Sequence, residues 1–123
     1  METSVNNKCK AFTSLKQSKK LAEILPFESA DMCYPLPCED GDKPLLEQGG
    51  FGSTPCWSLA ALLGVLPEID GNPLNIERVK AEDGYDGYFY HIEYKDKILI
   101  PYSKNPIDAC VAMIERLNEL NLL

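Results

Sequence analysis

Long apolar runs are missing from this sequence. The longest, Leu59 to Leu66, is interrupted by Gly64 and is far too short to cross a bilayer. The first twenty residues, METSVNNKCKAFTSLKQSKK, contain lysines but no apolar core, so they do not read as a secretory signal, and we expect a cytoplasmic protein without membrane contact. An even, regularly spaced cysteine set is also missing. Cys9, Cys33, Cys38, Cys56 and Cys110 are odd in number and irregular in spacing, which favours reduced thiols over a disulfide framework, with an air-formed Cys33–Cys38 bridge left open. There is one histidine, His91, and no second metal knuckle. Four residues separate Cys33 from Cys38, and Cys56 and His91 are scattered, so we expect no zinc site and no other cofactor. The acidic stretch Glu39, Asp40 and Asp42 lacks EF-hand spacing. Gly49 to Gly52 lacks the Lys-Ser/Thr pair of a phosphate loop.

Positive charge is scarce outside the N-terminal twenty residues. Those residues carry five lysines and one glutamate, whereas the remainder carries seven basic and eighteen acidic residues, for a net charge of −7 overall. An acidic body repels phosphate backbones, so direct nucleic-acid binding is not expected. The bulk composition, 45% apolar and 25% charged over 123 residues, suits an ordinary globular domain.

Local signals divide the chain. Residues 1–12 lack periodicity and are expected to form a flexible tail, with a single domain over 13–123. Ser14 and Gln17 form a capping box, and Leu15, Leu21, Ala22 and Leu25 line one face of a helix that Pro26 ends. Prolines and glycines over 27–54 suggest a short helical turn near Ser29 to Met32 and a long loop at about 33–54. Thr54 reads as an N-cap with Pro55 at the first helical position. The helix that follows to Leu66 is apolar nearly all round and therefore expected to be buried.

After a Gly-Asn-Pro turn at 71–73, strands are expected over Ile76–Glu82, Gly87–Tyr94 and Ile98–Tyr102, with turns at 83–87 and 95–97. Tyr88, Tyr90, Ile92 and Tyr94 fall on one face of the middle strand, and Phe89, His91 and Glu93 on the other. Asn105, Pro106 and Asp108 open a last helix whose apolar stripe runs through Ile107, Cys110, Val111, Ile114, Leu117 and Leu120. The expected class is a two-layer α+β domain. An antiparallel sheet of two to three strands is packed by helices in the order α-α-β-β-β-α, with the second and last helices on one sheet face.

Two chemical possibilities stand out. The segment GSTPCWSLA, residues 52–60, resembles the Gly-Ser-Cys-Trp segment of papain-like cysteine proteases. A cysteine at a helix N-terminus gains thiolate character, and a histidine on a strand would supply the base, so Cys56 and His91 form an alternative catalytic pair. Against it, the Cys56–His91 gap is short for that family, the Cys-Gly-x-Cys-Trp pattern is missing, and burial explains Cys56 equally well. The favoured reading therefore has no catalytic residue. The second possibility is a docking surface made by Tyr88, Tyr90 and Tyr94, provided helices do not cover that sheet face.

Three segments, LAEILPFESADM (21–32), CWSLAALLGVLP (56–67) and NPIDAC (105–110) with its following helix, resemble a group of small proteins of gut Bacteroides and related bacteria. Members often lie in prophage-like or mobile regions. No activity is established for the group, so the resemblance carries over no site residue. In that group the position before the tryptophan is often alanine, which is incompatible with an essential nucleophile at Cys56. Residues 33–54 are longer here than in the group's usual pattern. The resemblance implies an accessory protein of a phage or mobile element. The resulting expectation is a non-catalytic, acidic, protein-binding protein with an unknown protein partner, and the alternative is a cysteine hydrolase using Cys56 and His91.

Overall fold

The structure, a computed structural model, describes residues 11–35, 43–47, 52–69, 71, 74–80, 88–94 and 98–123. Backbone proximity divides the chain into two compact units, one spanning 11–65 and the other including 66–123. Among the described residues there are three α-helices, a two-stranded and a three-stranded antiparallel sheet, so the chain is α+β as its sequence indicates.

In the first unit, helix α1 (Leu15–Leu21) starts where the capping box predicts it, but it ends at Leu21, short of the expected Pro26, and leaves Ala22 exposed. The Gln17 amide donates to Ser14 Oγ at 3.1 Å, and the Ser14 amide donates to Gln17 Oε1 at 3.0 Å. Leu15, Ser18 and Leu21 face inward while Lys19 and Lys20 sit in the last turn, where the helix dipole favours cations. A single 3-10 turn, Phe27–Ser29, follows, and then strand β1 (Met32–Tyr34).

The expected helix start at Thr54 is wrong. Thr54–Cys56 is strand β2, which pairs antiparallel with β1 in the register Met32↔Cys56, Cys33↔Pro55 and Tyr34↔Thr54. The Cys33 amide donates to Leu45 O at 3.0 Å, and the Leu45 amide donates to Cys33 O at 2.7 Å. Cys33 thus turns both backbone groups away from Pro55. The Cys33↔Pro55 pair needs no N–H from the proline, which is why a proline fits this strand. Within the stretch expected as a loop, therefore, its two ends are strand and Leu45 is bridged to Cys33.

Helix α2 (Leu59–Val65) begins three residues later than Cys56. Its cap is Ser58, whose Oγ accepts from the Ala61 amide at 3.2 Å. Asp31 holds that serine by accepting from its amide at 3.0 Å and from its hydroxyl. The expected all-round burial of α2 is also corrected. Only Leu62 is buried; Ala60, Leu63 and Gly64 are exposed, because seven residues turn one face to the 3-10 turn.

In the second unit, β3 (Leu74–Lys80), β4 (Tyr88–Tyr94) and β5 (Ile98–Ser103) form a meander in the order β3-β4-β5. The expected turns at 83–87 and 95–97 lie outside the described residues, as does most of the 71–73 turn, although Gly71 has the positive φ of +80° that such a turn uses. The β4–β5 register shifts between Tyr90 and Ile92, so β5 carries its proline at an irregularity and, among the described residues, at a sheet margin, the two places a sheet tolerates one.

Helix α3 (Pro106–Glu119) packs on β4 and β5. Asn105 Oδ1 accepts from the Asp108 amide at 2.8 Å, and Asn105 Nδ2 donates to Asp108 Oδ2 at 2.9 Å. The helix closes in a Schellman motif. Asn121 takes φ +58°, the Leu122 amide donates to Leu117 O at 2.9 Å, and the Asn121 amide donates to Asn118 O at 3.1 Å. Ile107, Cys110, Met113, Ile114 and Leu117 of α3 are fully buried, as are Ile92 and Tyr94 of β4. Each large apolar side chain in this set contributes about 1.5–3 kcal/mol by leaving water. Tyr94 keeps its hydroxyl paired by donating to Pro67 O at 2.6 Å.

Two outcomes follow for the second unit. Asn105→Ala should lower its stability by about 1 kcal/mol, read from urea unfolding by circular dichroism. Burial pushes the Cys110 thiol from its usual 9.0 up to about 12. Burial, with Cys110 adding to it, pushes Tyr94 up to about 12 as well. Both groups are neutral when protonated, so the folded chain keeps protons that the unfolded chain sheds. The stability they confer is complete below pH 9 and is lost as pH rises toward 12. Urea midpoints should fall over that window, and more shallowly in Cys110→Ala.

Candidate functional site

Cys56 ends β2 and lies outside the first turn of helix α2. It is 0% exposed in a core shared with Leu15, Met32 and Tyr34, against which Phe12 packs. Thr13 surrounds its sulfur. The Thr13 hydroxyl donates to Cys56 Sγ at 3.5 Å, and Sγ donates to Thr13 O at 3.4 Å. A neutral thiol can donate to that carbonyl, whereas a thiolate would face its oxygen with no proton between them. Burial pushes the thiol above its usual range. The hydroxyls of Thr13, Ser18 and Tyr34 offset part of this, and the nearby Asp31 carboxylate adds to it.

Neighbouring hydrogen bonds hold this chain segment extended. The Thr13 amide donates to Trp57 O at 2.9 Å, and the Trp57 amide donates to Thr13 Oγ1 at 3.1 Å. Trp57, also 0% exposed, sends its indole N–H to Ser29 Oγ at 2.9 Å. Thus the Cys-Trp pair that resembles a protease segment is bound on both sides into the core of the first unit.

His91 belongs to the second unit, on β4, opposite Glu77 of β3. Its Nδ1 lies 3.8 Å from Glu77 Oε1 and its Nε2 lies 3.9 Å from Glu93 Oε1. The ring is mostly buried and stands between two carboxylates, which attract it when it is protonated. Glu93 on the same face was legible from the two-residue spacing, whereas Glu77 needed the strand register.

The three tyrosines take different situations. Tyr94 is 1% exposed, so within its unit it is a core residue and offers no surface. Tyr90 is half-buried opposite Arg78 and Ser103. Tyr88 stands opposite Lys80 in the β3–β4 register. The helix α3 packed on β4 and β5 accounts for the loss of Tyr94 from any docking surface.

Cys33 is buried on β1, and burial, with Glu47 adding a smaller effect, pushes its thiol upward. Cys38, its possible disulfide partner, lies outside the described residues, as do Glu39, Asp40 and Asp42 and most of the 49–52 glycine stretch. Among the described residues no group of three or more histidine, cysteine, aspartate or glutamate side chains is placed to hold a metal ion. No helix of the described residues is long and apolar enough to cross a membrane. Comparison with protein-family models, with curated proteins and with solved structures finds no match to this chain.

Iodoacetamide at neutral pH should leave Cys56 unmodified in the folded protein and label it only after denaturant is added, as read by peptide mass spectrometry. Thr13→Val should raise its labelling rate and cost about 1–3 kcal/mol of stability, because the Ser18 hydroxyl and the Trp57 amide lose a buried partner.

Proposed function

We propose that this chain is a non-catalytic protein-binding protein, and that it serves as an accessory protein of a phage or mobile element, as the sequence resemblance implies. The observation that carries the reading is a contrast within the first unit. Its thiol nearest in pattern to a nucleophile is fully buried, and burial pushes its pKa upward, whereas Leu46 is 85% exposed. Leu45 beside it and Leu63 on α2 are exposed as well. Apolar side chains at a surface are the material of protein contacts, and the acidic body disfavours nucleic acid as the thing contacted.

Affinity capture from a bacterial host, with quantitative mass spectrometry, tests this. Wild type, Cys56→Ala and His91→Gln should capture the same protein to within about twofold, and Leu46→Asp should reduce the capture about tenfold or more. Hydrolysis of peptide or ester substrates by the wild type that disappears in Cys56→Ala would establish the hydrolase in its place.

A further inference from the structure

Strand β3 lies at one margin of the three-stranded sheet, and among the described residues it pairs only with β4. Asn75, Ile76, Glu77 and Arg78 are exposed along it. Ile76 stands in register with the buried Ile92, and Ile92 with Ile100, so a row of isoleucine positions crosses the sheet and its outer member is 41% exposed. A margin strand presents backbone donors and acceptors to a further strand, and its charged side chains restrict which strand can take them.

We propose that β3 pairs antiparallel with β3 of a second copy of this chain, about a two-fold axis at Ile76. Two conditions select that register. A two-fold axis normal to a continuous antiparallel sheet keeps each residue on its own face, so it passes through a residue position and not between two. Like charges directly opposite each other are unfavourable. An axis at Glu77 sets Glu77 against its own copy, and one at Arg78 does the same to Arg78. An axis at Val79 sets Arg78 against Lys80, and one at Lys80 sets Lys80 against itself.

An axis at Ile76 brings no like charges together. Asn75 meets Glu77 of the second copy, Leu74 meets Arg78, and Ile76 meets Ile76. Moving the axis to Asn75 also avoids like charges but shortens the pairing within β3. The Ile76 register therefore gives the longest self-complementary pairing that the charges permit. It also joins the isoleucine row of one copy to that of the other, which covers the exposed Ile76. This association is independent of the function proposed above.

Sedimentation velocity of the full chain, from low micromolar to submillimolar concentration, tests the proposal. The expected result is a reversible dimer whose dissociation constant rises about tenfold or more in Ile76→Lys and stays unchanged in Leu46→Ser, with circular dichroism confirming that both variants fold. Under mild oxidation I76C should form a disulfide between the two substituted positions, identified by mass spectrometry of the linked peptide. Directly opposed Cα atoms in an antiparallel pair lie about 4.5–5.5 Å apart, within the span a disulfide bridges. Linkage in N75C should be slower, because its two copies are diagonal neighbours. A chain monomeric throughout, a dimer indifferent to Ile76→Lys, or linkage in I76C no faster than in N75C each overturns the proposal.

Discussion

The first unit depends on a single buried threonine. Every polar group of Thr13 is engaged. Its amide donates to Trp57 O, its carbonyl accepts from the Tyr34 hydroxyl at 2.8 Å and from the Cys56 thiol, and its hydroxyl meets Ser18 at 2.7 Å and accepts from the Trp57 amide. It stands just before α1 and binds to both β1 and the end of β2. Three short elements, none able to stand alone in water, are tied together at that point. Among the described residues no buried side-chain polar atom lacks a partner, so this polar centre carries no uncompensated desolvation cost.

The second unit solves the same problem with different chemistry. Among the described residues its core joins Ile92 and Tyr94 of β4 to Ile107, Met113, Ile114 and Leu117 of α3, with few polar groups. Tyr94 carries its hydroxyl out to Pro67 O, and Asn105 caps the helix. Cys110 lies within it as a small apolar residue, with its proton held by burial alone. Of the buried thiols, Cys56 and Cys110 therefore differ in kind, since the first is hydrogen-bonded and the second is merely desolvated.

What was legible in the sequence is what is decided locally. Ser14 with Gln17, and Asn105 with Pro106 and Asp108, act within one helical turn, and both caps form as their spacing indicates. The three strands of the meander follow from their aromatic and β-branched runs, with β3 starting two residues before the expected Ile76 and β5 ending one residue after the expected Tyr102. Thr54-Pro55 misled because it satisfies the local rules for a helix start while distant partners outweigh them. Thr13 occupies both backbone groups of Trp57 through contacts over forty residues apart in sequence, and Cys33 supplies a pairing position that tolerates proline. The better cap, Ser58, was visible as a serine, but Asp31, which fixes it, was not. Thr13 carried no local signal at all, since a threonine before a helix reads as ordinary. For the candidate site, the face shared by His91 and Glu93 was readable by alternation, whereas the burial of Tyr94 depended on where α3 lands.

The bridge between Cys33 and Leu45 has a consequence for how this chain tolerates change in length. The connection from β1 to β2 is closed twice, first at Leu45 and again at Thr54. Lengthening either half alters one closure and leaves the other as it was. Each doubling of a flexible loop costs only about 0.6 kcal/mol. Insertions on either side of Leu45 can therefore accumulate without shifting the register that seats Cys56, so this stretch can diverge in length while the core beneath it stays fixed.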